Sequence, residues 1–357
     1  MRKLLCGALL LVGCFDWESL STRYGETPGE PDLSGTTGGD DLGVPADLET
    51  NQADLRAAPD MSTPLTWTKE QAAPTPATAL NSIFGAGSVT GGNLTVWAVG
   101  DGGQALKYNP SNKTWGANTV GPLTDSYRDV WLKDDNSTGW IVGSGVAGAP
   151  AAYRWTGTAW MADAAGLSMT QHAVWGNAGN LVLAGGASTT SVFLYTTSWA
   201  TRSNAAGRVL SGAWGSGTRF WLMGTNNDAL YVENSTSSAK SACGQGATVF
   251  SSVWGFGATD AWAVGDSGFV CRWDPTGLVW NRQAQVSGAP NFNGIWGTSA
   301  KDLWAVADSG TVAHYDGSSW TRLTPAQLSG RNLRAIWGAD AMNFWVVSDK
   351  GEIFRAY

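Results

Sequence analysis

Few side chains in this 357-residue sequence have the types and spacing that catalysis or metal binding requires. The chain contains two histidines, His172 and His314. Two isolated histidines cannot form a histidine-rich metal site, and no catalytic set of serine, histidine and aspartate or of cysteine and histidine is recognisable. The residues therefore predict a protein that is not an enzyme and that uses no cofactor and no metal.

Aspartate recurs in short glycine-containing turns, at Asp101, Asp266, Asp308 and Asp349. Aspartate in such turns usually accepts hydrogen bonds from its own backbone, so we interpret these four as turn residues. Residues 134–139, DDNSTG, have the spacing that begins a calcium loop, but Gly145 stands where the closing glutamate would be. A surface loop is the favoured interpretation, and a calcium site remains the alternative.

The chain begins with an export signal in residues 1–13. Two cations precede an apolar run of ten residues, which is too short to cross a bilayer as a helix. The run ends in Leu11-Val12-Gly13-Cys14, which resembles the lipobox of bacterial lipoproteins. That resemblance implies cleavage before Cys14 and a lipid on it; an ordinary signal peptide is the alternative. Phe15 follows instead of aspartate, which by the same resemblance implies the outer membrane, facing the periplasm or the cell exterior.

Residues 14–64 form the next segment, which begins with the lipidated Cys14 and continues as an acidic tether. The tether contains eleven acidic residues against two arginines, with much glycine, proline, serine and threonine. Such a composition predicts disorder. The chain's net charge of −7 is the sum of +2 from the signal and −9 from the tether, so residues 65–357 carry none. A neutral head gives no reason to expect nucleic-acid binding.

Residues 65–357 contain a unit of about forty residues that occurs seven times. Its clearest copy, from Asn293 to Thr321, reads as four short strands joined by tight turns, which is the size of one propeller blade. An aromatic residue marks the first strand of each copy: Phe84, Trp131, Trp175, Trp214, Trp254, Trp296 and Trp337. The second strands carry Trp97, Trp140, Leu183, Trp221, Trp262, Trp304 and Trp345. We assign to the third strands Tyr108, Trp155, Tyr195, Tyr231, Trp273, Tyr315 and Phe354.

The seventh copy ends before it could form a fourth strand. Leu65 to Lys69, upstream of the first copy, resembles the fourth strands of the other units. We therefore predict that it pairs with residues 352–357 and closes the ring, which removes an exposed sheet edge. The predicted fold is all-β: a seven-bladed β-propeller of four-stranded antiparallel blades, closed by an N-terminal strand.

The tryptophan ladder fits packing between neighbouring blades better than it fits sugar binding, because every copy repeats it. Ligand-binding aromatics are expected where the repeat is broken, and Phe256 and Phe292, both predicted to lie in loops, are the candidates. Two long connections, 233–248 and 281–291, are read as variable recognition loops. His314 stands where Lys107 and Arg272 stand in other copies, so an exposed position is expected.

Two thiols remain once the signal is removed and Cys14 is acylated. Cys243 falls near the outer strand of the fourth blade, and Cys271 falls in the third strand of the fifth. We predict that they are bonded or adjacent, which requires their Cα atoms to lie within about 7 Å. An oxidising compartment would allow the bond.

The repeat resembles Trp-rich bacterial propeller repeats and is similar to tectonin-type lectin repeats. The residues that carry the resemblance are W-G, D-x-W-A-V and Y-D-G-x-x-W, spread over residues 65–357. It implies the fold and leaves function open, since propellers host many functions. Sialidases are propellers too, but their S-x-D-x-G-x-x-W box is absent: Val264, Val306 and Val347 occupy the serine position.

Three functions compete at this point. The favoured one is a monomeric recognition module, anchored by lipid, that binds a polysaccharide or a protein partner through loops on one propeller face. The second is a structural or assembly scaffold of the envelope, and the third is a glycan hydrolase or lyase. Variable loops on a repeated frame favour binding.

Overall fold

A computed structural model describes residues 65–71, 77–177, 182–186, 191–204, 209–233, 236–283, 285–288 and 291–357. The signal segment, the lipid attachment at Cys14 and the acidic tether lie outside these residues, so those predictions stay predictions. The described residues form seven four-stranded antiparallel sheets, arranged as a β-propeller. The predicted fold is confirmed.

The described residues form 28 strands, of which the first belongs to the last blade: β1 (Trp67–Gln71). Blade one comprises β2 (Leu80–Ala86), β3 (Thr95–Gly100), β4 (Ala105–Asn109) and β5 (Thr114–Ala117). Blade two comprises β6 (Ser126–Leu132), β7 (Gly139–Ser144), β8 (Pro150–Trp155) and β9 (Trp160–Ala162). Blade three comprises β10 (Gln171–Gly176), β11 (Val182–Gly186), β12 (Ser191–Tyr195) and β13 (Trp199–Asn204). Blade four comprises β14 (Leu210–Ser216), β15 (Arg219–Gly224), β16 (Asp228–Glu233) and β17 (Thr236–Ser241).

Blade five comprises β18 (Phe250–Gly257), β19 (Asp260–Gly265), β20 (Val270–Asp274) and β21 (Val279–Arg282). Blade six comprises β22 (Phe292–Ser299), β23 (Asp302–Ala307), β24 (Val312–Tyr315) and β25 (Trp320–Leu323). Blade seven comprises β26 (Leu333–Asp340), β27 (Asn343–Ser348), β28 (Ile353–Ala356) and β1. The described helices are single 3₁₀ turns: Val146–Gly148, Asp266–Gly268, Asp308–Gly310 and Ala326–Leu328. Within the described ranges, no helix has the length and apolar character that crossing a membrane requires.

The ring closes through the N-terminal strand. β1 pairs antiparallel with β28, with Trp67 opposite Ala356 and Lys69 opposite Phe354. Thr66 and Tyr357 exchange backbone hydrogen bonds beyond the strand ends. The predicted closure is confirmed, and the strand extends to Gln71, two residues beyond the predicted end.

The tryptophan and glycine of the inner strands make contacts between neighbouring blades. A Cβ atom added to Gly85 of blade one would lie 2.6 Å from the indole of Trp337 in blade seven. The same close approach joins Trp131 to Gly176, Trp214 to Gly255 and Trp296 to Gly338. In each pair the glycine belongs to the blade that follows the tryptophan in the ring. At these four junctions the glycine therefore leaves room for the indole of the preceding blade.

Blade four differs from the prediction in the segment 233–248. This segment contains β17, the fourth strand of the blade, which pairs with β16. The sequence predicts a long loop here because this segment lacks the tryptophan that marks the fourth strand in other blades, as Trp320 does in blade six. The connection between blades four and five is thus only residues 242–249.

The third strand is one residue out of the predicted register in blade four and two residues out in blade seven. His314 stands opposite Trp304, and the residues opposite the corresponding tryptophans are Tyr231 and Arg355. The equivalents of Tyr315 are therefore Val232 and Ala356, not Tyr231 and Phe354. In both blades an aromatic residue precedes the true position, by one residue at Tyr231 and by two at Phe354.

His314 is buried, contrary to the expectation of an exposed position. Its Nε2 lies 2.9 Å from Asp302 Oδ1, and its ring stacks on Trp304 with centroids 4.1 Å apart. Three other blades place a cation over the indole of the second strand: Lys107 on Trp97, Arg272 on Trp262 and Arg355 on Trp345. The position is a packing site for the indole face, and Asp302 satisfies the histidine that fills it in blade six.

Candidate functional site

Each inner strand carries a β-bulge near its start. In blade one, Leu80 pairs with Gly100 and Ser82 pairs with Val99, so Asn81 is the extra residue. The same break occurs in all seven blades. The bulge residues are Asn81, Arg128, His172, Ser211, Ser251, Asn293 and Arg334, which we call the mouth ring. Bulges redirect side chains and are frequent beside functional sites.

The mouth ring lies at one end of the channel between the inner strands. Three residues further along each strand come the first-strand aromatics, roughly 10 Å deeper at the usual rise of a strand. Three of these rings meet across the axis: Phe84 and Trp175 have centroids 5.3 Å apart, and Trp175 and Trp254 have centroids 5.8 Å apart. The aromatic rings form the floor of a cavity of about 120 Å³ that the mouth ring surrounds.

The two predicted ligand-binding aromatics do not lie at this mouth. Phe292 is fully buried, like the residue before the bulge in every blade: Leu80, Tyr127, Gln171, Leu210, Phe250 and Leu333. It packs among the apolar residues between blades five and six, so its ring is not available to a ligand. Phe256 lies beyond the aromatic floor, near the end of β18, and packs partly buried against the same apolar cluster.

Three members of the mouth ring fasten neighbouring blades together. Asn81 Nδ2 donates to the Tyr127 carbonyl at 2.8 Å, Ser211 Oγ to the Phe250 carbonyl at 2.8 Å, and Asn293 Nδ2 to the Leu333 carbonyl at 2.8 Å. In each case the acceptor is the residue before the bulge in the next blade. These three side chains therefore have a structural role at the mouth.

Arg128, His172 and Arg334 give the mouth its basic groups. Arg128 Nη1 lies 3.6 Å from Asp101 Oδ1, and both side chains are about two-fifths exposed. Burial, with a smaller contribution from the charge of Arg128, lowers the pKa of His172 below its ordinary value. Arg334 is exposed, and no hydrogen bond or ion pair joins it to another residue in the described ranges.

Asp129 is the one carboxylate among the described residues that line the cavity. It accepts hydrogen bonds from Ser82 Oγ at 2.7 Å, from the Val174 N–H at 2.9 Å and from the Val130 N–H at 2.9 Å. Burial raises the pKa of Asp129 to about 6, and the three hydrogen bonds oppose that shift. Its oxygens join blades one, two and three, so we assign it a structural role.

The recurrent turn aspartates are structural, but their partners are not their own turns. Asp308 Oδ1 accepts from Asn293 Nδ2 at 2.9 Å, and Asp349 Oδ1 accepts from the Asn332 N–H at 3.1 Å. The backbone N–H groups of these aspartates also donate to the segments that lead into the inner strands. Each carboxylate thus fixes the entry to its blade's inner strand, close to the mouth.

No group of three or more histidine, cysteine, aspartate or glutamate residues in the described ranges is placed to hold a metal ion. The calcium-like segment 134–139 lies in the connection between β6 and β7. Asp135 Oδ1 accepts hydrogen bonds from the Ser137 N–H and hydroxyl, which lower the pKa of Asp135 to about 2. The segment uses its own donors to fold the turn.

A disulfide joins Cys243 to Cys271, with Cα atoms 5.7 Å apart. Cys243 follows β17 of blade four, and Cys271 lies in β20 of blade five. The bond therefore links the segment after the outermost strand of blade four to the third strand of blade five. A cross-link of this kind restricts the unfolded chain.

No protein-family model matches the chain, and no curated protein matches it either. Among solved structures it is similar to YCF48 bound to D1 peptide, with a TM-score of 0.62, 14% identity and coverage of 84% of this chain and 96% of that one. The WD40 β-propeller domain of Doa1 gives a TM-score of 0.64 at 10% identity, covering 82% and 97%. Virginiamycin B lyase from Staphylococcus aureus gives 0.68 at 12% identity, covering 82% and 99%. At these identities the similarity shows the propeller fold alone.

Proposed function

We propose that this chain is a non-catalytic recognition module that holds a protein partner against the mouth of its propeller. The observation that carries the proposal is the mouth ring, in which seven identical backbone bulges display different side chains. A repeated frame with varied side chains is how recognition surfaces are commonly built.

The cavity is too small to enclose a typical small-molecule ligand. Its size favours a protein partner that inserts a single side chain. About 120 Å³ is well below the 300–1,000 Å³ of usual small-molecule sites. A single side chain of a docked protein fits such a space. The structure of YCF48 with a bound peptide is an example of a propeller with a peptide ligand.

A protein partner is favoured over a polysaccharide by the burial of the aromatic rings. Sugar binding by stacking needs exposed aromatic faces. In the described ranges, Tyr357 is the one aromatic residue that is half exposed, and the others are buried or partly buried. The tryptophans of the repeat pack between blades or face the channel floor. A scaffold role in assembly would use the same surface and is included in this proposal.

The test is capture of a partner from an envelope extract with the full-length protein, followed by binding measurements on the captured protein. Ser251 belongs to the mouth ring and is partly buried there. We expect Ser251→Tyr to weaken binding by at least tenfold, because the added ring would fill the mouth. Ser111→Tyr, at an exposed turn before β5, is the matched control and should bind like the wild type. Equal binding by both variants would place the partner site elsewhere.

We also propose that the protein is a lipoprotein of the outer membrane, facing the periplasm or the cell exterior. The support is the Leu11-Val12-Gly13-Cys14 sequence at the end of the export signal. Mass spectrometry of the membrane-extracted protein should show an acylated Cys14 as its first residue. A water-soluble mature form that begins at another residue would contradict the proposal.

A further inference from the structure

The basic side chains of the mouth ring are gathered on one side of the channel. Going round the ring, blades seven, one, two and three supply Arg334, Asn81, Arg128 and His172 in succession. Blades four, five and six supply the uncharged Ser211, Ser251 and Asn293. The mouth therefore has a basic sector and a neutral sector, although residues 65–357 carry no net charge.

The carboxylates near the basic sector are already engaged. Asp101 Oδ1 accepts from Asn81 Nδ2 at 2.9 Å and from Ser126 Oγ, and it lies 3.6 Å from Arg128. Asp129 uses its two oxygens on Ser82, Val174 and Val130. Neither carboxylate is within ion-pair distance of Arg334.

Arg334 is thus the uncompensated cation of the mouth. Among the described residues it has no hydrogen-bonding or ion-pair partner, and the residue is exposed. A planar guanidinium presents paired N–H donors that match the two oxygens of a carboxylate or the edge of a phosphate or sulfate. The second cation of the mouth, Arg128, lies two blades further round the ring, with the inner strand of blade one between it and Arg334.

We propose that the basic sector of the mouth, Arg334 with Arg128, receives an oxyanion group. This inference rests on the proposed function: the source is a carboxylate on an acidic segment of the protein partner. A free phosphate or sulfate has the same chemistry and is separated from that source by experiment. The neutral sector, Ser211, Ser251 and Asn293, would face the uncharged part of the ligand.

The test is to titrate the purified full-length protein with three probes and to measure binding of each by calorimetry. The probes are a capped peptide of alternating glycine and glutamate, the same peptide with glutamine, and inorganic phosphate or sulfate. We expect the glutamate peptide to bind, the glutamine peptide to bind at least tenfold more weakly, and added salt to weaken binding. Binding of the inorganic anion alone, with the same dependence on Arg334, would support the oxyanion site and assign it to a free anion.

Two arginine variants identify the site. Arg334→Gln should weaken binding of the anionic probe by about tenfold or more, and it should leave thermal stability unchanged because the side chain is exposed and unpaired. Arg322→Gln, on the outer strand of blade six, is the control for loss of a cation and should leave binding of the probe unchanged. Its stability should change little, because Arg322 gives up one hydrogen bond, at 3.4 Å to Thr311 Oγ1. If no anionic probe binds, or if both variants bind equally, the inference is wrong. Capture of a partner that Ser251→Tyr abolishes would still support the proposed function in that case.

Discussion

Replacing Trp67 by alanine should lower the free energy of unfolding by about 3–5 kcal/mol, the usual cost of a buried large-to-small change of this size. Trp67 is 4% exposed and lies in β1, the strand that completes blade seven. Its ring packs edge-on against Phe344 with centroids 5.6 Å apart. The substitution leaves a cavity where the two ends of the propeller meet, so it weakens the contact that closes the ring.

Urea unfolding followed by tryptophan fluorescence measures the effect. Deletion of residues 15–60 is the first control and should change stability very little, since the predicted tether contributes no packing. Leu123→Ala is the second control, at a residue that is 79% exposed. A silent Trp67 substitution, or a tether deletion as costly as the Trp67 change, would refute the closure by β1.

Glu70→Gln should have an effect of similar size, about 3–5 kcal/mol, because it removes one partner of a buried ion pair. Glu70 Oε2 accepts from the indole N–H of Trp115 at 3.1 Å and from that of Trp345 at 2.9 Å, and Oε1 lies 3.4 Å from Arg355 Nη1. The side chains of Glu70 and Arg355 are 10% and 12% exposed. One carboxylate thus joins β1 to blades one and seven, and glutamine would leave Arg355 without its anion.

The matched control is Glu233→Gln. Glu233 pairs with Arg219 at 2.7 Å, but both side chains are about one-third exposed. Solvent screens such a pair, so the expected loss of stability is much smaller than that of Glu70→Gln. Chemical denaturation of both variants at neutral pH compares them directly. Equal losses for the two variants would mean that Glu70 is not a special contact of the closure.

The sequence predicted the propeller because its repeat is strong and local. Aromatic positions in the first, second and third strands recur at intervals of about forty residues. The fourth strand that is missing from the last repeat is matched by a surplus strand before the first one. The closure through Trp67 followed from that count. Ring closure depends only on how many strands each repeat has, which the sequence displays.

The mouth was missed because a bulge has no sequence signature of its own. A polar residue stands three positions before the first-strand aromatic in all seven repeats, and this signal was present in the sequence. Phe292 was placed in a loop because the start of its strand was set too late. The burial of His314 depends on Asp302, which the hairpin brings to it from the neighbouring strand. Such contacts follow from strand register, and an error of one residue hides them.

The tryptophan–glycine packing between blades determines which repeats can be neighbours. Three junctions differ from the four described above. Trp175 and Trp254 donate their indole N–H groups to the carbonyls of Gly215 and Gly297. In blade two, Leu132 occupies the glycine position, and the preceding blade carries Phe84 in place of tryptophan. Phe84 packs against the apolar cluster that contains Leu132. A tryptophan that packs on the glycine of the next blade, as Trp131, Trp214, Trp296 and Trp337 do, would meet the side chain of Leu132 if its blade stood before blade two. The inner strands therefore restrict which blades can be neighbours. Insertion of a duplicated blade is restricted at the junction between blades one and two.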